Sequence, residues 1–150
     1  MKAALLPPAI SEVVAEVRAV YHALSGRPVA RDCCSVGDCC RFRLTGKTPH
    51  LTKAEAIVAA RAWRATGRTE LAGKGDGSCP ILDDATGRCR IYADRPMGCR
   101  THFCAAAGGP YARREVADLI HRLEDLSIRL GSTEAQPLEA AIRLALKACK

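Results

Sequence analysis

Apolar side chains recur every three to four residues in several stretches of the chain, which is the period of an amphipathic helix. The first predicted helix covers about residues 10–25, and its apolar stripe is formed by Ile10, Val13, Val14, Val17, Val20, Tyr21 and Leu24. The second begins at a capping box, in which Thr52 serves the amide three residues on and Glu55 returns to the cap. Gly67 is expected to end this alanine-rich helix.

Two more helices are predicted toward the C-terminus. Pro110 opens a long helix that Gly131 ends, with the stripe Val116, Leu119, Ile120, Leu123, Leu126 and Leu130. The last helix runs from about Pro137 to Cys149, so that 110–149 forms a helical C-terminal region.

Residues 79–82 and 89–92 are typical of the strands of a short β-hairpin, with Gly87 at the exit of its turn. The pattern therefore predicts a mainly helical α+β fold with about four helices, a short hairpin and cysteine-rich loops. No repeat or linker divides the chain, and we expect residues 1–150 to form a single domain.

The composition makes the cysteines unusual. A chain of 150 residues that is 48% hydrophobic can build a core without disulfide bonds. No signal peptide is recognisable, because Pro7 and Pro8 interrupt the short apolar N-terminal patch, and no apolar run is long enough to span a bilayer. We therefore predict a cytoplasmic protein, in which clustered thiols bind metal or do chemistry more often than they form disulfides.

Eight of the nine cysteines fall into two groups that are separated by the capped helix. The first group is Cys33, Cys34, Cys39 and Cys40, and the second is Cys79, Cys89, Cys99 and Cys104. The ninth, Cys149, has core-compatible spacing on the last helix, and we interpret it as a packed or terminal thiol. Because one helix and its flanking loops connect the two groups, we expect them to share one metal site.

The chemistry of eight thiols narrows the choice of metal ions without identifying one of them. Sulfur ligands select zinc, iron in iron–sulfur clusters, or copper(I), and they disfavour magnesium, calcium and manganese. No C-x-x-C pair occurs, so neither a zinc ribbon nor a thioredoxin-like redox pair fits. Eight thiols suit two ions, a polynuclear cluster, or one four-cysteine site beside four spare thiols.

Two purely structural explanations of the cysteines compete with metal binding. The thiols could be packed in the core. However, they lie in loops that contain Gly and Pro and are rich in Arg, and such loops are seldom part of a core. They could also pair as disulfides, which would require oxidising conditions that nothing in the sequence indicates.

A long string of residues resembles a known family. The string Cys89-x-Ile91-Tyr92-x-x-Arg95-Pro96-x-x-Cys99-Arg100, preceded by Cys79-Pro80-x-Leu82 and followed by Cys104, is similar to the CxxCxxCC cysteine-cluster family, the YkgJ-like zinc- or iron-chelating domains. The resemblance covers about residues 33–104. It implies that about eight cysteines gather iron or zinc, and some similar clusters accompany protein-lysine methylases of flagellin.

The first cysteine group departs from the family pattern. That pattern would place a second Cys at Val36, whereas this chain has Cys34 next to Cys33. Either Cys34 replaces the missing ligand with altered geometry, or this group supplies three ligands. His102 stands before Cys104, and we expect it to lie near the metal or at the surface rather than to bind it.

The matched string also suggests roles for its other residues. Asp94 is expected to cap a turn that Pro96 begins, so that Cys99 is aimed at the metal. Ile91 and Tyr92 alternate like a strand. Arg95 and Arg100 flank the thiolates, where they could either offset the charge of the sulfur or be solvated.

Three functions compete at this stage. The first is a non-catalytic iron or zinc protein, since no catalytic constellation is recognisable. Such a protein would store the metal, deliver it to a partner, or use it to stabilise its own loops. The second is an iron–sulfur redox protein or an accessory component of a modification enzyme. The third, nucleic-acid binding, follows only from the formal net charge of +7 and is disfavoured, because the basic residues form no stripe and aromatic residues are scarce.

Overall fold

The computed structural model describes residues 8–27, 48–101 and 111–148 of the protein. These ranges contain five α-helices and two small antiparallel sheets, which confirms the mainly helical α+β prediction. The helices are α1 (Ile10–Ser25), α2 (Lys53–Ala65), α3 (Met97–Thr101), α4 (Arg113–Arg129) and α5 (Leu138–Ala148). The strands are β1 (His50–Leu51), β2 (Leu82–Asp83), β3 (Arg88–Cys89) and β4 (Gln136–Pro137). Among these helices, none combines the length and the apolar character that crossing a bilayer requires.

Helix α2 begins at the predicted capping box. The Thr52 hydroxyl accepts a hydrogen bond from the Glu55 amide at 3.4 Å, and the Glu55 carboxylate accepts one from the Thr52 amide at 3.0 Å. Two residues after the helix, Gly67 has φ +90°, a conformation that glycine adopts without the steric cost of a Cβ. Both ends of α2 were therefore predicted correctly.

Helix α2 lies between two apolar cores and contributes to both. We call first core the cluster of Leu51, Ala56, Ala59, Ala60, Trp63, Leu71, Cys79, Ile81, Leu82, Ile91, Leu138, Ala141, Ile142, Ala145 and Leu146. The second core contains Val13, Val14, Val17, Val20, Tyr21, Leu24, Ala54, Ile57, Val58, Met97, Val116, Leu119, Leu123 and Leu126. Small alanine side chains on opposite sides of α2 let α5 approach one face and α1 and α4 approach the other.

The C-terminal helices differ slightly from the prediction at their starts. Helix α4 begins at Arg113 rather than at Pro110, because Ala112 is extended and its amide donates to the Glu115 carboxylate at 2.8 Å. Helix α5 begins at Leu138, because Pro137 belongs to β4 and lies opposite His50 of β1. The β1–β4 sheet was not predicted, since strands of two residues are too short to show a period.

The hairpin is confirmed but is shorter than expected. Strands β2 and β3 pair antiparallel, and Gly87 at the turn exit has φ +69°. The expected strand character of Ile91 and Tyr92 is wrong, because Tyr92–Asp94 forms a 3₁₀ turn in which the Asp94 amide donates to the Ile91 carbonyl at 2.8 Å. Helix α3 was not predicted, since five residues give no amphipathic pattern.

Removing one buried leucine of the second core tests this packing. Leu123→Ala should lower the free energy of unfolding by about 2–5 kcal/mol, because it removes buried methyl groups and leaves a cavity. Leu144→Ala is the matched control, since Leu144 is exposed and should change the stability by less than about 0.5 kcal/mol. Urea denaturation followed by circular dichroism measures both, and equal effects would contradict the described core.

Candidate metal centre

Three of the eight predicted ligands lie in the part of the chain that the structure describes. Cys79 belongs to the first core and is 3% exposed, and Cys89 and Cys99 are half-buried against that same core. Although these cysteines are ten residues apart along the chain, the fold gathers all three on one apolar cluster. The other five predicted ligands, Cys33, Cys34, Cys39, Cys40 and Cys104, lie outside the described residues, as do His102 and Cys149.

Backbone hydrogen bonds of the hairpin fix Cys79 relative to Cys89. The Cys79 carbonyl accepts a hydrogen bond from the Leu82 amide at 3.1 Å, and Leu82 lies opposite Cys89 in the β2–β3 register. The Lys74 ammonium group donates to the Leu82 carbonyl at 2.5 Å and to Asp84 at 2.8 Å, which holds the preceding loop on the hairpin. Both cysteines are thus placed by the main chain of β2.

A buried proline turn places Cys99. The Pro96 carbonyl accepts hydrogen bonds from the amides of Cys99 and Arg100, both at 3.0 Å, and Pro96 is fully buried. Arg100 donates from Nε to the Arg95 carbonyl at 2.6 Å and from Nη2 to the Ala93 carbonyl. These bonds fold residues 93–100 into a compact turn around the start of α3.

The charged residues of this turn act differently from the expectation. Asp94 was expected to cap the following turn, but its carboxylate accepts two hydrogen bonds from Arg18 of α1, at 3.0 and 3.1 Å. The first amide of α3, that of Met97, donates to Glu55 instead. The Asp94 carboxylate therefore ties the turn to α1.

Arg95 and Arg100 stack on aromatic rings. The Arg95 guanidinium carbon lies 3.9 Å from the centre of the Tyr92 ring, and that of Arg100 lies 4.1 Å from the centre of the Tyr21 ring. Burial lowers the pKa of Arg100, and the positive charge of Arg95 lowers it further, although its acidic neighbours oppose this shift. Arg100 is thus a partly buried cation that stacks on Tyr21 next to Cys99.

The carboxylate of Glu55 connects this turn to the rest of the fold. Its Oε1 accepts hydrogen bonds from the Met97 amide at 2.7 Å and from the Tyr21 hydroxyl at 3.2 Å. Its Oε2 accepts from the amide of Thr52 at 3.0 Å and from its hydroxyl at 3.1 Å. Burial raises the pKa of Glu55, although these four hydrogen bonds lower it.

The ends of the remaining cysteine-bearing segments are attached near α3 and α4. The Tyr111 amide donates to the Thr101 carbonyl at 2.8 Å, so the two residues that flank segment 102–110 are joined directly. Thr101 is the last residue of α3. This hydrogen bond brings together the two described residues on either side of the segment that contains Cys104.

The described residues on either side of segment 28–47, which contains the first cysteine group, also contact α3 and α4. Before it, Arg27 donates to the Glu115 carbonyl at 2.6 Å and pairs with Asp118, both in α4. After it, Pro49 packs so closely against Gly98 that a Cβ at position 98 would lie 3.3 Å from the Pro49 Cβ. The second end therefore lies next to the residue that precedes Cys99.

Comparison with known proteins identifies the family. The sequence model of the CxxCxxCC family, whose description is "Putative zinc- or iron-chelating domain", matches residues 31–122. The chain belongs to the CxxCxxCC family. No curated protein and no solved structure matches the chain. The CxxCxxCC match reaches further than the resemblance over 33–104 implied, since it includes the first part of α4.

The donor chemistry of the described cysteines fits the metals of the CxxCxxCC family. Thiolate ligands suit zinc and iron, and Cys79, Cys89 and Cys99 offer three of them on one core. Within the described ranges, no three His, Cys, Asp or Glu side chains, these three cysteines included, are grouped so that they could hold a metal ion.

The described residues also form an apolar groove that is distinct from the cysteines. An apolar groove of about 700 Å³ lies between α2, α5 and the residues around Ile10 and Leu130. No described cysteine lines it.

Sequence reasoning missed the second role of Glu55. The capping box identified its bond to Thr52, but its bonds to Tyr21 and Met97 join residues 34 and 42 positions away. No local spacing encodes such contacts. The one signal in the sequence was that Tyr21 belongs to an apolar stripe, where its hydroxyl needs a partner.

The raised pKa of Glu55 predicts how stability depends on pH. Because the folded protein binds this proton more tightly than the unfolded chain, the contribution of Glu55 to stability is fully present below its ordinary pKa of 4.5. It is lost as the pH rises through the raised folded pKa. Tyr21 stays neutral over this range, because burial raises its pKa well above 10.0.

Glu55→Gln should remove this dependence, since an amide does not titrate. We expect the stability of the wild type, measured relative to Glu55→Gln by urea denaturation, to fall between acidic and neutral pH. A difference that stays constant with pH would contradict the assignment.

Proposed function

We propose that the protein binds iron, as an iron–sulfur cluster or as iron ions, or zinc, through cysteines of both sequence groups. The observation that carries this proposal is the gathering of Cys79, Cys89 and Cys99 on the first core. Membership in the CxxCxxCC family supports metal binding in general. The proposed ligands are Cys33, Cys34, Cys39, Cys40, Cys79, Cys89, Cys99 and Cys104, and Cys149 is not among them.

The reach of the chain supports a shared site. Cys104 follows Thr101 by three residues, so the two Cα atoms can lie at most about 11 Å apart. Thr101 is in turn two residues after Cys99 in α3. Cys40, the last cysteine of the first group, precedes Pro49 by nine residues, and Pro49 packs against Gly98. Both segments therefore start or end beside the helix that carries Cys99.

The charge distribution favours a metal protein over a nucleic-acid-binding protein. Seven ion pairs join basic and acidic side chains of the described residues, among them Arg18 with Asp94 and Arg129 with Glu16. Much of the basic charge is therefore matched by neighbouring carboxylates. The charge that remains can offset thiolates, and Arg100 directly follows Cys99 in the chain.

In this proposal the protein acts in the cytoplasm. It stores the metal, carries it, or depends on it for a stable fold. A second candidate is an iron–sulfur redox or accessory component of a modification enzyme. The all-cysteine donor set favours this candidate, because iron–sulfur clusters are held by cysteine thiolates.

Metal analysis of protein purified without oxygen tests the proposal. Elemental analysis should find iron or zinc in stoichiometric amount. The absence of both metals would refute the proposal. Acid-labile sulfide with a brown visible spectrum would establish the iron–sulfur candidate. A colourless protein with stoichiometric zinc would eliminate it, since zinc has a filled d shell.

Single cysteine substitutions test the ligand assignment. Cys99→Ser should reduce the amount of bound metal, because a hydroxyl is a poor replacement for a thiolate on zinc or iron. Cys149→Ser is the matched control and should keep the wild-type metal content. Elemental analysis of both variants, prepared in parallel without oxygen, measures the effect. Equal metal content in the two variants would show that Cys99 is not a ligand.

A further inference from the structure

Glu55 makes more contacts than a helix cap requires. Among the described residues it is the only buried charged side chain, with 3% of its surface exposed. A capping box needs only the bonds between Thr52 and Glu55. Burying a carboxylate is unfavourable unless hydrogen bonds compensate for the lost water, and here Tyr21 and Met97 supply two further bonds. These additional partners indicate a role beyond the N-terminus of α2.

The additional bonds converge on the segment that carries Cys99. The amide that donates to Glu55 belongs to Met97, two residues before Cys99. The Met97 side chain is buried in the second core, and Gly98 packs against Pro49. On the other side of Cys99, Arg100 stacks on the ring of Tyr21. The hydroxyl of this same Tyr21 donates to Glu55.

We propose that Glu55 is a positioning residue for the metal centre, which holds the α3 backbone at Met97 so that the Cys99 sulfur is oriented toward the metal. This inference rests on the proposed function. The carboxylate acts through the main chain and through Tyr21, and it does not itself bind the metal. Residues that orient metal ligands in this indirect way commonly change metal affinity by about 10- to 100-fold when they are substituted.

Cobalt(II) is a suitable probe, because its absorption bands report the sulfur ligands and their geometry. The test compares Glu55→Ala with Thr52→Ala. The control loses the two bonds of the Thr52 hydroxyl in the capping box. It keeps the bonds from the amides of Thr52 and Met97 to Glu55. The affinity for cobalt is measured by competition with a chelator. The titration is also followed by fluorescence quenching of Trp63, which is the single tryptophan and lies in the first core.

We expect Glu55→Ala to bind cobalt about 10- to 100-fold more weakly than the wild type, with displaced thiolate-to-cobalt bands. Thr52→Ala should keep the wild-type spectrum, although it loses about 1 kcal/mol of stability. Glu55→Gln should restore most of the affinity, because its amide oxygen can still accept from Met97 and Tyr21. A role in stability alone would not shift the bands of the loaded protein.

Glu55→Asp replaces Glu55→Ala if the alanine variant does not fold. It keeps the charge, but it is one methylene too short to reach both Thr52 and Met97, so it should show the same weakened binding. Wild-type affinity and bands in a folded Glu55→Ala or Glu55→Asp variant would overturn the inference while leaving the proposed function intact. A wild-type protein that binds neither cobalt, zinc nor iron would instead overturn the proposed function.

Discussion

The fold depends on one buried carboxylate. Glu55 lies at the start of α2, where Thr52, Tyr21 and Met97 each donate to it, so it joins α1, α2 and α3 at a single point. A charge buried there would be strongly destabilising without these donors. Because α2 also separates the two cores, the position of this carboxylate determines how α1 and the proline turn meet the central helix.

The sequence predicted best what local interactions determine. The capping box at Thr52 and the glycine stops at Gly67 and Gly131 act through neighbouring backbone atoms, and each is found where the pattern placed it. The long helices follow because their apolar stripes repeat over several turns. The hairpin was found because Gly87 allows the turn that joins two short strands.

Tertiary contacts determine what the sequence could not predict. The β1–β4 pairing joins residues that are far apart in the chain, and no pattern in two-residue strands reveals it. Asp94 follows a spacing typical of a cap, yet Arg18 of another helix attracts its carboxylate. For the site, composition and spacing identified the cysteines. The gathering of Cys79, Cys89 and Cys99 on the first core depends on packing that only the structure shows.

The composition of the first core has a consequence for how the protein is made. Leu138, Ile142 and Leu146 of α5 complete that core, and α5 lies C-terminal to every other element described. During synthesis, the ribosome therefore releases Cys79, Cys89 and Cys99 before the helix that completes the first core. On the nascent chain, the apolar cluster against which these cysteines pack stays incomplete until α5 emerges.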